Sequence, residues 1–578
     1  MKSKVQAFIY SLSNGNQKFF WLILISAVFV VLARIIGPFE VYWDQAIQLE
    51  AAQRLVRGLG LTSTYFSYAS PPYSPNINQP PRPPYLTWFP PGFSLVVASL
   101  LSFKLSLAGS LKILYGVITV IGWLGWAIIG CHLLSKPIRL GTKSFSVQFW
   151  IATILPIFYT PPWWGTDIFL WSGIPYIIIF LYNSVSSNPS RGFLSLSGVI
   201  LGLLYSFRYS SLFLVISTFL ILFYLNSTKI NFSLLKKYLI FIASSFVFTV
   251  PIFIYNRTAL SNTGLPEYVT TSRGLEIFSN IDIIFSNLSQ VSVLSGIPLI
   301  TEKLLSYLKL NTAINYVYGV TCLVILSFLP LIIIRTKRLD SELSRKNIAI
   351  FLSFLPISLV LFLIACMFAA DYNFLGDSRY YIPVSIGVIY TLYELATLQN
   401  THRIIKIILS IFFLIFLVYN LLYLPRFLLT GQQGFIAQTI LGITPLPNMP
   451  YPSNIVFTKY EYSSQILRQL KEDNSEAILF TQFHPFYIYN STYTDELEQR
   501  FRPIPDVAFW KQAYLSKATK IFWVTNNPAC PGICSTFDIE QEIKQLSSLP
   551  NLQTIFTDPY TQTKIMVSDL PNGYKFSE

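Results

Sequence analysis

The stretch VYWDQAIQLEAAQRLVRG, residues 41–58, follows an apolar run that ends near residue 37 and places one aspartate, Asp44, directly after two aromatic side chains. From Ala46 to Arg57 the apolar residues recur at the spacing of one helical face, with polar residues on the other faces. Gly58 and Gly60 are typical of a helix end. The stretch therefore predicts a short amphipathic helix on the membrane surface. Asp44 stands at its N-terminal side, where the helix dipole favours an ionised carboxylate or where Asp44 simply caps the helix.

The composition is that of a membrane protein. The chain has 578 residues, of which 53% are hydrophobic and 12% are charged, and its mean hydropathy is +0.51. A water-soluble domain of this size carries more charge on its surface. The formal net charge is +14, but the basic residues are dispersed along the chain rather than gathered into one stripe. This dispersion disfavours a nucleic-acid partner and favours cytoplasmic loops and contacts with anionic membrane lipid.

Eleven apolar runs are long enough to be candidate membrane spans. They lie at about 19–37, 110–134, 146–164, 166–183, 193–207, 209–226, 237–256, 313–334, 348–369, 380–398 and 404–424. A further apolar run, Phe93 to Leu107, is shorter and is interrupted by Lys104. It is either a span or a helix that lies along the membrane.

The distribution of Lys and Arg decides the orientation. With a cytoplasmic N-terminus and a non-crossing 93–107 segment, the basic cluster at 335–346 faces the cytoplasm, and the short outer connections hold only Arg208 and Arg379. If the 93–107 segment crossed, this cluster would face outward, against the positive-inside rule. We therefore expect an integral protein of the plasma membrane, the inner membrane of a bacterium, with its N-terminus in the cytoplasm.

This topology places three long segments on the outer side. Residues 1–425 form the membrane module, with a first outer loop at 38–109 and a second at 257–311. Residues 426–578 are less apolar and alternate strand patterns (EAILFTQF, KIFWVTNN, KIMVSDL) with helical ones (SSQILRQLKED, DIEQEIKQLSSL). The predicted fold is a polytopic α-helical membrane protein, with interfacial helices in the first outer loop and a small C-terminal extracytoplasmic α/β domain.

Charged residues from distant parts of the sequence return to one leaflet in this topology. Asp167, in PPWWGTDIFLW, stands at the outer end of a predicted span, and Arg379, in DYNFLGDSRYYIP, precedes another. Both face the same side as Asp44. Charges at this depth are costly unless they are paired or line a polar cavity. Their convergence therefore predicts a polar site at the outer membrane boundary.

The motifs YWDQAIQLEAAQRLVRGLGLTS, FPPGFSLVVASLL, GTDIFLW and DSRYYIP, in this order over residues 19–425, resemble the C-type glycosyltransferases that use polyprenyl-phosphate sugars. The likeness is to their protein-mannosyltransferase and aminoarabinose-transferase branch. The resemblance implies an outward-facing centre, a lipid-phosphate sugar as donor and a glycan, lipid or protein as acceptor. It implies Asp44 as the catalytic acid/base, Asp167 as the second acidic position and Arg379 as a donor-phosphate contact.

The sequence departs from some relatives at two lysine positions. Phe89 stands where they carry a lysine before Pro-Pro, and Arg208 stands near a second lysine position. Because arginine binds phosphate bidentately, phosphate recognition falls to Arg82, Arg208 or Arg379. The residue types fit transfer, in which a carboxylate accepts the acceptor proton and a guanidinium stabilises the departing phosphate.

The side chains expected to line the substrate are Tyr42, Trp43, Trp88 and Tyr380, although an interfacial aromatic belt explains such residues equally well. No cofactor and no metal site is predicted; a divalent ion between Asp44 and Asp167 is the open alternative. Other functions also stay open at this point. They are a transporter or lipid flippase, a polysaccharide polymerase or ligase using the same lipid-linked sugars, and a non-catalytic anchor for the C-terminal domain.

Overall fold

A computed structural model describes part of the chain. The described ranges are 43–63, 85–87, 89–132, 138–140, 143–145, 166–186, 191–209, 232–263, 403–411, 477–481, 519–525, 549–558 and 564–570, with isolated residues within 25–28, 211–218 and 466–470. The predicted spans at 146–164, 313–334, 348–369 and 380–398 lie outside these ranges, as does most of the second outer loop.

The first described helix, α1 (Trp43–Val56), carries the opening motif. It starts before the predicted Ala46, so Asp44 lies in its first turn. The helix ends at Gly58, whose φ is +77°, and the amide of Gly58 donates to the carbonyl of Leu55 while that of Leu59 donates to Arg54. This pair of bonds is a Schellman motif, which a left-handed glycine makes possible without steric cost. The glycine-terminated helix that the sequence predicts is thus present.

The polar side chains of α1 are not exposed, as they would be on an isolated surface helix. Its polar side chains Gln45, Gln48 and Glu50 are buried, at 0%, 1% and 1% exposure. Burial of such groups is tolerated because other segments supply hydrogen-bond partners: Ser63 Oγ donates to Glu50 Oε2 over 2.7 Å, and Gln45 Nε2 donates to Tyr115 Oη over 2.7 Å. The helix is therefore packed inside the protein.

The segment that follows the proline-rich loop forms α2 (Gly92–Ser102). Pro91 precedes its first residue, where the missing N–H of proline has no cost. The helix stops at Phe103 and Lys104, the latter in the left-handed region with φ +62°. With 11 residues, α2 extends about 16 Å, half the thickness of a membrane core. Its length alone does not allow it to cross.

Four further helical or hairpin elements follow α2. They are α3 (Leu107–His132), a two-stranded antiparallel hairpin of β1 (Ile138–Leu140) and β2 (Lys143–Phe145), α4 (Asp167–Ser186) and α5 (Arg191–Phe207). The helix α6 (Phe232–Thr263) comes next. The helices fall on predicted spans, although α6 extends beyond the predicted 237–256. The hairpin falls between two predicted spans, where no strand was expected.

Glycines allow close helix pairing between α5 and α6. A Cβ on Gly198 would overlap the carbonyl oxygen of Phe241, and one on Gly202 would overlap that of Ser245. Four-residue spacing puts both glycines on one face of α5, as in the GxxxG pairs of membrane helices. Ser244 Oγ donates to Ser195 Oγ over 3.0 Å across the same interface. The two backbones therefore touch directly, which fixes how the far end of α6 meets the end of α5.

The exposed face of α6 is strongly apolar. Phe253 is 62% exposed and Val247 is 59% exposed, with other large apolar side chains beside them. Among the described residues, two helices are long and apolar enough to cross a membrane, α3 over Gly109–Trp126 and α6 over Tyr238–Ala259. An apolar face of this extent is stable against lipid and costly in water.

The C-terminal part contains a four-stranded mixed sheet. Its strands are β3 (Ala477–Thr481), β4 (Lys520–Thr525), β5 (Gln553–Thr557) and β6 (Lys564–Asp569), in the order β3-β4-β6-β5. β3 and β4 are parallel and the other pairs are antiparallel. Residues 521–524 of β4 are buried on both faces, as expected for a central strand. The three strands predicted from the sequence are confirmed, and β5, a largely exposed edge strand, was missed.

Candidate functional site

A buried ion pair lies where α4 begins and α5 ends. Asp167 is the first residue of α4, and Arg208 directly follows α5. Arg208 Nη1 lies 2.8 Å from Asp167 Oδ1, with side-chain exposures of 12% and 0%. The same nitrogen donates to Thr166 Oγ1 over 3.3 Å. The first turn of α4 adds the positive end of a helix dipole beside the carboxylate. The carboxylate of Asp167 is thus placed beside a guanidinium and a helix N-terminus.

The residue after Arg208 links this turn to two other elements. Asn256 Nδ2, on α6, donates to Tyr209 Oη over 2.8 Å. Tyr209 Oη in turn donates to the carbonyl oxygen of Thr87 over 3.1 Å. The turn that carries Arg208 is thereby tied to α6 and to the returning part of the first outer loop.

The neighbouring Tyr255 holds the two ends of that loop together. Its phenol oxygen lies 3.1 Å from the carbonyl oxygen of Leu86 and 3.3 Å from that of Leu61. The amide of Leu86 also donates to Leu61, and Thr62 and Tyr85 form an isolated antiparallel bridge. The base of the proline-rich segment 64–84 is therefore closed by hydrogen bonds that involve α6.

A chain of contacts connects the first turn of α1 to the ion pair. Gln45, next to Asp44, bonds to Tyr115 of α3, and the Tyr115 ring lies 6.2 Å from that of Phe93. Phe93 meets Phe169 at 6.2 Å edge to face, and Phe169 stacks on Phe207 at 4.0 Å. Phe169 is two residues after Asp167, and Phe207 is next to Arg208. The backbone of Asp44 is thus fixed to the same end of the helices as the ion pair.

The FPPGF motif contributes a direct backbone contact. A Cβ on Gly92 would overlap the carbonyl oxygen of Ser206, two residues before Arg208. Ser94, also at the start of α2, donates to the carbonyl oxygen of Gln48 on α1 over 2.7 Å. The start of α2 therefore lies between α1 and the end of α5, and only glycine fits at position 92 without displacing the Arg208 turn.

The described structure brings some of the predicted site residues together. Asp167 and Arg208 form the ion pair, and Asp44 and Trp43 lie in the first turn of α1, where only their backbone is described. The others lie outside the described part of the chain: Tyr42, Arg82, Trp88, Arg379 and Tyr380. Their assignments stay predictions.

Sequence reasoning missed the hydrogen-bonding residues around the pair, namely Gln45, Tyr115, Tyr209, Tyr255 and Asn256. Gln45 stands next to Asp44 in a helix that the sequence predicts on the membrane surface. Nothing in the sequence indicates its hydrogen bond to Tyr115, which lies 70 positions later. Tyr209 and Asn256 stand at the ends of predicted spans, where polar and aromatic residues are common. Within the described ranges, no group of three His, Cys, Asp or Glu side chains is arranged to hold a metal ion.

No protein-family model and no curated protein sequence matches the chain. Among solved structures, ArnT from Cupriavidus metallidurans in the apo state is similar over 96% of this chain and 98% of its own, with 12% identity and a TM-score of 0.41. The same protein bound to undecaprenyl phosphate is similar over 96% of this chain and 99% of its own, with 11% identity and a TM-score of 0.39. Both TM-scores are below 0.5.

Proposed function

We propose that this protein is an integral-membrane glycosyltransferase. It transfers a sugar from a polyprenyl-phosphate carrier to an acceptor at the extracytoplasmic face, with Asp44 as the catalytic base. The observation that supports this function is the convergence of the first turn of α1, which carries Asp44, with the buried pair of Asp167 and Arg208 at one end of the helices.

Each charged residue has a task in this reaction. The bond from the anomeric carbon to the phosphate oxygen breaks, and a bond to the acceptor oxygen forms. The acceptor loses its proton to the Asp44 carboxylate as the sugar gains oxocarbenium character. Negative charge grows on the departing phosphate, and a fixed guanidinium beside it stabilises the transition state more than the ground state. We assign this role to Arg208, and Arg82 and Arg379 are further candidates.

The ion pair gives the two aspartates different roles in this proposal. A carboxylate paired with a guanidinium at 2.8 Å is a poor proton acceptor, because protonation would break the pair. Asp167 therefore acts by orienting Arg208 and keeping it at a fixed position. Asp44 is therefore the residue that accepts the proton of the acceptor hydroxyl.

The location of the charges disfavours a transporter. Transporters place functional charges near the middle of the bilayer, in broken helices. Asp167 instead is the first residue of α4, and Arg208 directly follows the last residue of α5. The excess of basic residues in the opposite loops predicts that this end faces away from the cytoplasm.

An assay of sugar transfer by the Asp44→Asn protein tests the function. Purified protein is supplied with undecaprenyl-phosphate sugars extracted from bacterial membranes and with glycans, lipids and proteins of the same membranes as acceptors, and the release of undecaprenyl phosphate is followed. Because asparagine keeps the shape but cannot accept the proton, we expect release to fall about 100-fold or more, with binding of undecaprenyl phosphate retained. Gln53→Glu, on the same helix, is the control for an altered charge pattern. Transfer by the Asp44→Asn protein at the wild-type rate would exclude Asp44 as the base.

A further inference from the structure

We infer that Tyr209 is a positioning residue for the donor phosphate, acting through Arg208. With Asn256 it fixes the turn from which the Arg208 guanidinium reaches Asp167. This inference rests on the proposed function, and it adds a residue that neither the motifs nor the charge pattern indicates.

Local bonds alone hold the Arg208 turn to its own segment. The amide of Arg208 donates to Leu204, and the carbonyl of Arg208 accepts from the amide of Ser211 over 3.1 Å and from its hydroxyl over 2.8 Å. All these partners lie within four residues. They define the shape of the turn but do not fix its place relative to α4, where Asp167 lies.

Tyr209 adds a hydrogen-bonded reference outside that segment, beside the stacking of Phe207 on Phe169 and the close contact of Ser206 with Gly92. Its phenol is bonded to the Thr87 carbonyl and to the Asn256 side chain, which belong to two separate parts of the chain. α6, which carries Asn256, is held against α5 by the glycine contacts described above. A shift of the turn would therefore have to break the Tyr209 bonds. We call the Tyr209 bonds to Thr87 and Asn256 the Tyr209 tether. Since a misplacement of about 1 Å can strongly reduce the effect of a charged group, loss of this tether should weaken phosphate binding.

Tyr205 is a matched control for Tyr209. It lies one helical turn earlier on α5, and its ring is 5.5 Å from that of Tyr209. Its phenol makes no hydrogen bond within the described part of the chain. Replacing either tyrosine by phenylalanine removes one hydroxyl from the same neighbourhood, but only Tyr209→Phe removes the tether.

The test is a double-mutant cycle on lipid affinity. Binding of undecaprenyl phosphate to detergent-purified protein is measured for Tyr209→Phe, Tyr205→Phe, Arg208→Met and the double variant Tyr209→Phe/Arg208→Met. Undecaprenol, which lacks the phosphate, is the parallel probe. We expect Tyr209→Phe to weaken binding of the phosphate about fivefold to tenfold, the effect of losing a hydrogen bond, with undecaprenol unaffected and Tyr205→Phe like the wild type. In the Arg208→Met background, Tyr209→Phe should have no further effect, because residues that act as a unit are not additive.

Two results would overturn the inference. One is an unchanged phosphate affinity in Tyr209→Phe, and the other is a loss that adds fully to that of Arg208→Met. Asn256→Ala removes one of the two Tyr209 bonds and leaves the bond to Thr87. It provides a second variant should Tyr209→Phe fold poorly, and it should weaken binding of the phosphate, but not of undecaprenol, by part of the Tyr209→Phe effect. Wild-type protein that binds undecaprenyl phosphate no better than undecaprenol would instead contradict the proposed function.

Discussion

The pair of Asp167 and Arg208 sets the properties of the site at the scale of single residues. Two charges at 2.8 Å with almost no exposure are stable only together. The sequence predicts each residue separately, as an acid and as a phosphate ligand. It does not predict that they pair, because the contact depends on where α4 begins relative to the end of α5.

Removing one partner of the pair should lower the free energy of unfolding. For Asp167→Asn we expect a loss of about 3–5 kcal/mol, because the Arg208 charge stays buried without a carboxylate. The measurement is the thermal unfolding midpoint in detergent. The double variant Asp167→Leu/Arg208→Met should recover much of the midpoint while binding undecaprenyl phosphate weakly. An unfolding midpoint of Asp167→Asn equal to that of the wild type would show that the pair does not stabilise the fold and that Asp167 is exposed to solvent.

At the scale of helices, α1 shows where sequence periodicity fails. Its apolar residues have helical spacing, and the prediction of a helix ended by Gly58 is correct. Its polar residues Gln45 and Glu50 are buried against Tyr115 and Ser63, whereas an isolated surface helix would expose them. Periodicity identifies an apolar face, but it cannot reveal that the polar face also has partners. The burial of these residues fixes α1 more firmly than a surface helix would be fixed.

The contact of α5 with α6 is the element on which the Tyr209 tether depends. We expect Gly202→Ala to destabilise the protein by about 1–3 kcal/mol, because the new methyl group meets the Ser245 backbone and not a flexible side chain. Undecaprenyl phosphate binding should weaken as well, since Asn256 moves with α6.

Gly192→Ala is the matched control on the same helix. A Cβ at Gly192 meets nothing within 4 Å, so its effect should stay within about 0.5 kcal/mol. Thermal unfolding of the two variants side by side provides the comparison. Equal midpoints for Gly202→Ala and Gly192→Ala would show that the helices are not in backbone contact.

At the scale of the whole molecule, the charge-derived topology and the contacts agree on one point. The topology assigns the first outer loop and residues 167, 208 and 256 to a single side. The contacts place them together through Asp167 with Arg208, Tyr209 with Asn256, and Tyr255 with Leu61 and Leu86. The sequence could predict this convergence because span count and loop charge are global properties. It could not predict the pairing within it, which depends on side-chain packing.

The central claim is that one polar site at this end binds a lipid phosphate beside a catalytic carboxylate. The most direct measurement is an experimentally determined structure of the protein with undecaprenyl phosphate bound. We expect the phosphate within hydrogen-bond distance of the Arg208 guanidinium, with the Asp44 carboxylate facing the same cavity. A phosphate bound at the opposite ends of the helices, or an Asp44 side chain separated from Arg208 by packed helices, would contradict it.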